Sequence, residues 1–136
     1  MERRAIAHDH FRCYAASFVE RFILWHEPAE RICGLVRLID KHHFDAHFGK
    51  PLIVLAPHFV GLDAGGIRLQ IDSGGASMFA NQKSRALTEL MTRGRSRFKG
   101  TRMFVRNDGM RPAIRVLREG VPFYFLPDMD LGPRDA

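Results

Sequence analysis

Residues 51–66 read PLIVLAPHFVGLDAGG, an apolar run that leads directly to a histidine, a carboxylate and three glycines. The segment LIVLA at 52–56 is short and continuously apolar, which is typical of a strand buried on both faces. His58 lies just past this run, and Asp63 follows His58 by five residues. Because ligand sites of parallel sheets gather beyond the carboxyl ends of the strands, His58 is a candidate functional residue.

Three later segments are also short and continuously apolar: ASMFA at 76–80, MFV at 103–105 and VPFYFL at 121–126. Between them, residues 84–98 and 110–120 have helical periodicity. Asp108 is the expected cap of the second helix, and Gly120 is its expected end. Strands that alternate with helices predict an α/β fold, with a mainly parallel sheet and flanking helices.

The N-terminal part of the chain predicts a pair of helices. From about residue 10 to 39, apolar side chains recur at helical spacings, and Pro28 divides the run in two. These side chains are Phe11, Tyr14, Phe18, Phe22, Ile32, Leu35 and Ile39. We expect their face to pack on the core, with a membrane-surface face as the alternative. One domain then comprises a helical lead-in over about 1–45 and an α/β core over 51–136.

The charge of the chain favours anionic partners, since its net charge is +6. Nucleic acid, acidic lipid head groups and an acidic carrier protein all remain open on this ground. The segment RGRSRFKGTR at 93–102 holds five cations in ten residues. It could bind any of these partners, or it could be a solvated helix end. Only Phe98 interleaves the cations, which does not favour nucleic acid, because such modules usually add aromatic side chains for stacking.

Two other groups of residues invite a chemical interpretation. Cys13 and Cys33 show no CxxC or zinc spacing, and we interpret them as free thiols of a reducing compartment. The stretch HHFDAHF at 42–48 matches neither HExxH nor the histidine order of binuclear hydrolases, and it precedes the first strand. We therefore do not predict a metal site there.

His58 and Asp63 have the chemistry of a general base and its orienting carboxylate. A carboxylate that accepts one imidazole N–H fixes the tautomer and leaves the other nitrogen free to take a proton. No serine or cysteine nucleophile adjoins His58, so the pattern favours acyl transfer to a bound hydroxyl. Two alternatives remain: hydrolysis of acyl esters by water, or a structural His58 with Asp63 as a helix cap.

The sequence also resembles a known family. APHFVGLD, at 56–63, resembles the H-x4-D/E block of the glycerolipid and lysophospholipid acyltransferase superfamily. Residues 78–98 and 103–134 are similar to later blocks of its lipid A biosynthesis branch, the lauroyl/myristoyl acyltransferases of Gram-negative bacteria. The similarity runs from about residue 10 to the end, and the segment at 121–134 is specific to this branch.

The resemblance implies an enzyme at the cytoplasmic face of the inner membrane. It would move a fatty acyl chain from acyl carrier protein to a hydroxyl of a lipid A precursor, with no nucleic-acid partner. No metal or organic cofactor is expected, because the acyl thioester is already activated. The implied catalytic residues are His58 and Asp63, and the implied substrate-binding residues are Arg106, which would contact an acceptor phosphate, and Asp128, Asp130 and Arg134.

The chain departs from the family pattern in two respects. Most relatives carry Glu at the position of Asp63, and they have an N-terminal membrane helix and a long continuation beyond this sequence. We therefore expect an incomplete acyltransferase domain, with VPFYFL at an open sheet edge where it would recruit other chains. The alternative function is a non-catalytic basic domain that binds anionic lipid or nucleic acid, in which His58 is structural.

Overall fold

The computed structural model describes residues 2–98 and 100–128. Within these residues, four short strands alternate with helices after an N-terminal group of helices, which confirms the predicted α/β fold. In chain order the elements are α1 Glu2–His26, α2 Ala29–Leu35, α3 Lys41–Asp45, β1 Ile53–Leu55, α4 Leu62–Ser73, β2 Gly75–Phe79, α5 Arg85–Arg95, β3 Thr101–Val105, a 3₁₀ turn Arg106–Asp108, α6 Arg111–Arg118 and β4 Phe123–Phe125.

The four strands form one parallel sheet with the order β1-β4-β2-β3. Strand β4, the last strand of the described residues, therefore lies in the middle of the sheet, where Phe123 is in register with Ile53 on one side and Ala76 on the other. Phe123 and Tyr124 are 2% and 5% exposed. The expectation that VPFYFL lies at an open edge is wrong, because strands on both sides satisfy its backbone groups.

Strand β1 lies at one edge of the sheet and is less buried than its sequence predicts. Ile53 and Leu55 are 54% and 67% exposed. Within the described residues, the strand pairs only with β4. The face of β1 that carries these two side chains is exposed to solvent. A continuously apolar run thus does not distinguish a central strand from this edge strand.

Two buried clusters hold the helices in place. One joins α6 to the sheet, where Ala113 and Val116 pack against Ala76 and Phe123. The other lies between α1, α2 and α4. Leu24 of α1, Ile32 of α2 and Ile67 of α4 are buried together there. Burial of one such aliphatic side chain contributes about 1.5–3 kcal/mol, so these contacts fix the helical layer.

The two ends of α6 show where local sequence rules succeed and fail. Gly120 has φ 74°, and the amides of Gly120 and Val121 donate to the carbonyls of Leu117 and Val116. This Schellman arrangement confirms the predicted end, since glycine adopts positive φ without strain. Asp108 is not the N-cap: its carboxylate accepts from the amide of Val105 at 3.3 Å, and Met110 precedes the helix instead.

The aromatic stripe of α1 does not face the core as expected. Phe11 and Phe22 are 71% and 66% exposed, and Tyr14 and Phe18 are also exposed. The buried residues of α1 are Ser17 and Leu24. Successive residues on a helix are about 100° apart, so the buried side is rotated by about that angle from Phe18. In the described ranges, no helix has the length and apolar character that crossing a bilayer requires.

The contact between α5 and α1 leaves no space for an additional methyl group. Gly94 is buried, and a Cβ there would lie 2.4–2.7 Å from three ring atoms of Trp25. We expect Gly94→Ala to lower the free energy of unfolding by about 1–2 kcal/mol. Overpacking near the top of its ~1–3 kcal/mol range outweighs the ~1 kcal/mol by which alanine favours a helix.

Gly66→Ala is the matched control, because a Cβ on that α4 glycine meets nothing within 4 Å. This change should raise the free energy of unfolding by up to about 1 kcal/mol. Denaturant unfolding of both variants measures the two effects. Shifts of the same sign and size would contradict the Trp25 contact.

Candidate active site

The parallel pairing of β1 and β4 determines which residues meet at the carboxyl end of the sheet. Leu55 is in register with Phe125, and the amide of Ala56 donates to the Phe125 carbonyl at 2.8 Å. His58 and Asp128 each lie three residues beyond these partners. The two loops therefore leave the sheet side by side, and residues that are distant in sequence come into contact.

Two hydrogen bonds join His58 to Asp128. The Nδ1 atom of His58 lies 2.8 Å from Oδ1 of Asp128, and the His58 amide donates to Oδ2 at 2.7 Å. An ionised carboxylate only accepts, so in the neutral imidazole this contact places the proton on Nδ1 and leaves the lone pair on Nε2. The imidazole is 40% exposed, which leaves it accessible to a substrate.

The same contact affects the acidity of Asp128. The bond from the His58 ring, followed by the bond from its backbone amide, holds the pKa of Asp128 below its ordinary value. The carboxylate therefore stays ionised, and able to accept both bonds, at more acidic pH than a free aspartate.

Asp63 does not hold the position predicted for it. It lies in the first turn of α4, where Oδ2 accepts from Nε of Arg21 at 2.7 Å and Oδ1 accepts from Nε of Arg95 at 2.9 Å. The three side chains are 15%, 17% and 24% exposed, respectively. The expected hydrogen bond from His58 to Asp63 is corrected: two guanidinium groups bind this carboxylate, and the imidazole contacts Asp128.

Sequence reasoning missed Arg21 and Arg95 as the partners of Asp63. Arg21 lies within the aromatic pattern of α1, and Arg95 belongs to the basic run whose charge favours anionic ligands. They lie 42 and 32 residues from Asp63. No local spacing indicates contacts over such distances. His58 and Asp128 each lie three residues beyond an apolar strand. This equal spacing predicts a contact between them only if the two strands are known to be neighbours in the sheet.

Three arginines of the basic run at 93–102 make contacts within the protein. Besides Arg95, Arg97 donates to the Leu24 carbonyl at 3.0 Å and lies over the ring of Phe98. Arg102 forms an ion pair with Glu119. These three cations hold helices and strands together, while Arg93 is exposed.

Arg106 lies at the opposite edge of the sheet from the strand that precedes His58. Arg106 is exposed at the end of β3, and β3 is the edge strand opposite β1. Three strand spacings separate these edges, or about 14 Å. Asp130 and Arg134 lie outside the described residues.

An exposed apolar surface lies beside the histidine. Leu55 and Phe125 precede the two loops in register, and they are 67% and 43% exposed. Phe59 and Val60, immediately after His58, are 74% and 42% exposed. Aliphatic chains bind to surfaces of this character, because burial removes apolar area from water.

The other candidate groups from the sequence show no organised site. In residues 2–98 and 100–128, no group of three or more His, Cys, Asp or Glu side chains is placed to hold a metal ion. His42 and His43 of α3 stand with their rings 4.0 Å apart. Cys13 and Cys33 are free, as predicted.

Comparison with known proteins agrees with the resemblance. A relative in Haemophilus influenzae, lipid A biosynthesis acyltransferase, is 35% identical over 89 residues, covering 65% of this chain and 28% of the relative. The Escherichia coli lipid A biosynthesis myristoyltransferase is 41% identical over 61 residues, 45% of this chain and 19% of its own. The E. coli lipid A biosynthesis lauroyltransferase is 27% identical over 99% of this chain and 44% of its own.

The chain spans less than half the length of each of these relatives. The family model described as bacterial lipid A biosynthesis acyltransferase matches residues 1–136, the whole of the sequence. The chain therefore belongs to the bacterial lipid A biosynthesis acyltransferase family.

Proposed function

We propose that this protein transfers a fatty acyl chain from acyl carrier protein to a hydroxyl of a lipid A precursor, with His58 as the general base. The observation that carries the proposal is the hydrogen bonding, exposure and position of His58. Its Nδ1 is held by a carboxylate, its ring is exposed, and it stands at the carboxyl edge of a parallel sheet. Membership of a lipid A acyltransferase family supplies the class of reaction.

In the proposed reaction, the acceptor hydroxyl donates a hydrogen bond to Nε2 of His58. As the imidazole takes the proton, the hydroxyl oxygen attacks the thioester carbonyl carbon and forms a tetrahedral intermediate. The carbon–sulfur bond then breaks, the ester is released, and the departing thiolate recovers the proton from the imidazolium. Donors to the oxyanion are also required by this chemistry.

Two exposed surfaces support the two parts of the proposed acyl donor, the acyl chain and the carrier protein. The exposed side chains of Leu55, Phe59 and Phe125 offer an apolar surface beside His58 for the acyl chain. Helix α6 presents three exposed cations at spacings of four and three residues, which suit an acidic carrier protein. They are Arg111, Arg115 and Arg118.

Arg106 is the proposed contact to an acceptor phosphate. Its distance from the histidine side of the sheet, about 14 Å, suits an extended acceptor whose charged group lies away from the reacting hydroxyl. A guanidinium group binds phosphate through two parallel hydrogen bonds, which fixes orientation as well as charge.

Replacement of the base should remove the reaction. We expect His58→Ala to lower the rate of acyl transfer by about 10²–10⁴-fold, the usual contribution of a general base. The measurement is transfer from acyl carrier protein to a lipid A precursor by the full chain, with and without the acceptor. Near-normal turnover by the variant would exclude His58 as the base, and acyl release without an acceptor would indicate hydrolysis.

Removal of the Arg106 side chain should affect acceptor binding more than folding. We expect Arg106→Ala to raise the KM for the acceptor by about 10-fold or more, since charge-assisted bonds contribute about 1.5–3 kcal/mol. Arg106→Lys should restore only part of this binding, because an ammonium lacks the two-pronged geometry. A large fall in melting temperature with unchanged acceptor KM would instead assign Arg106 a structural role.

The location that we propose is the cytoplasmic face of the inner membrane. Support comes from the exposed aromatic stripe of α1, Phe11, Tyr14, Phe18 and Phe22, which extends over three turns of one helix. Exposed Arg3, Arg4 and Arg12 on the same helix would favour anionic head groups. Aromatic rings and cations together are typical of helices that lie on a bilayer surface.

Vesicle binding tests this location. The triple variant Phe11→Ser, Phe18→Ser, Phe22→Ser should bind anionic vesicles at least about 10-fold more weakly than the parent, because it removes apolar area worth several kcal/mol. Ile114→Ser is the control, since Ile114 is exposed on α6 at 46%. Equal binding by the parent and the triple variant in co-sedimentation would contradict a membrane role for the stripe.

A further inference from the structure

We propose that the exposed side of α6 docks an acidic helix of the carrier protein, on the face of the sheet opposite to the membrane-binding helix α1. The names of the two partners, carrier protein and bilayer, rest on the proposed function. The division of the surface follows from the strand order and from the contacts of α1 and α6.

The strand order separates α6 from the other two connecting helices. In the order β1-β4-β2-β3, the connections through α4 and α5 run from β1 toward β3, whereas the connection through α6 runs back from β3 to β4. Crossovers between parallel strands are right-handed in nearly all proteins, so connections of opposite direction lie on opposite faces of the sheet. Helix α6 therefore covers one face, and α4 and α5 cover the other.

Helix α1 belongs to the side of α4 and α5. Leu24 of α1 is buried together with Ile67 of α4, and the ring of Trp25 lies against Gly94 of α5. A bilayer bound to the aromatic stripe of α1 thus lies on the side of the sheet away from α6. The exposed side of α6 then faces the aqueous phase, where a soluble partner can reach it.

The exposed side of α6 combines positive charge with one apolar side chain. Arg111, Arg115 and Arg118 are exposed around Ile114, which is 46% exposed, and these four side chains line a shallow depression with Glu119. An amphipathic acidic helix complements this surface, because its carboxylates meet the arginines while an apolar residue covers the isoleucine. A helix that enters a bilayer surface carries a broad apolar face instead of one isoleucine.

The apolar surface for the acyl chain lies on the same face as α6. Phe123 packs against α6, and side chains alternate along a strand, so Phe125 points to the face of α6 as well. Leu55 is in register with Phe125 and shares this face. Helix α6 also begins beyond the carboxyl end of β3, at the edge of the sheet where His58 lies. A carrier protein on α6 can therefore present its acyl chain without crossing the sheet.

Charge reversal on α6 tests the docking surface. We expect Arg115→Glu to weaken binding of acyl carrier protein to the full chain by about 10-fold or more, because attraction to carboxylates becomes repulsion. Arg93→Glu is the matched control, since Arg93 is exposed on α5 and its reversal changes the net charge equally. The control should change the dissociation constant by less than about 2-fold at about 0.15 M salt, where charges more than ~8 Å apart are largely screened.

A pair of reciprocal measurements tests the separation of the two faces. Ile114→Ser should weaken carrier binding by about 10-fold, because it removes the apolar anchor, and should leave vesicle binding unchanged. The triple variant Phe11→Ser, Phe18→Ser, Phe22→Ser should lose vesicle binding and keep carrier binding. The parent protein, once bound to anionic vesicles, should still bind the carrier protein with unchanged affinity.

Melting temperatures establish that each variant is folded, and if Arg115→Glu does not fold, Arg115→Gln should weaken carrier binding in the same direction. Equal loss of carrier binding in Arg93→Glu and Arg115→Glu would overturn the proposal, because net charge would then set the affinity. Release of the carrier protein by vesicles would also overturn it and would place α6 at the bilayer.

The binding measurements need no turnover, so the outcome for docking is separate from the outcome for catalysis. Transfer that survives in His58→Ala would refute the proposed base and leave the docking surface intact. Absence of saturable carrier binding by the parent would overturn the docking surface, even if transfer from another acyl donor proceeds.

Discussion

The pairing of β4 with β1 and β2 is the interaction on which the rest of this structure depends. It places β4 between β1 and β2 and buries Phe123 under α6. It also places the loops after β1 and β4 next to each other. Since the backbone hydrogen bonds of parallel strands fix a register, the meeting of His58 and Asp128 follows directly from this pairing.

A second constraint is the distribution of opposite charges. The chain carries an excess of cations, yet several of them are used internally, at Asp63, at Glu119 and at the Leu24 carbonyl. Asp63 is mostly shielded from water and requires such partners, because an unpaired charge is poorly solvated there. The cations on the outer side of α6 and at the start of α1 are exposed and available to an anionic partner.

Apolar side chains are likewise divided between the interior and the surface. The two buried clusters are small, and much of the aromatic and aliphatic surface lies outside them, on α1, on β1 and beside His58. Exposed apolar surface next to a candidate base is consistent with a substrate that carries a long hydrocarbon chain. On α1 the same property, combined with nearby arginines, is consistent with a bilayer surface.

The sequence by itself determined the alternation of strands and helices, the end of α6 at Gly120, the position of His58 beyond a strand, and the family. These are local features, because short apolar runs, glycine conformation and motif residues act within a few positions. Only the tertiary structure decided which carboxylate meets His58, which side of α1 is buried, and that β4 is central. Those outcomes depend on strand order and on contacts between residues 32 to 70 positions apart, and no local pattern encodes such pairings.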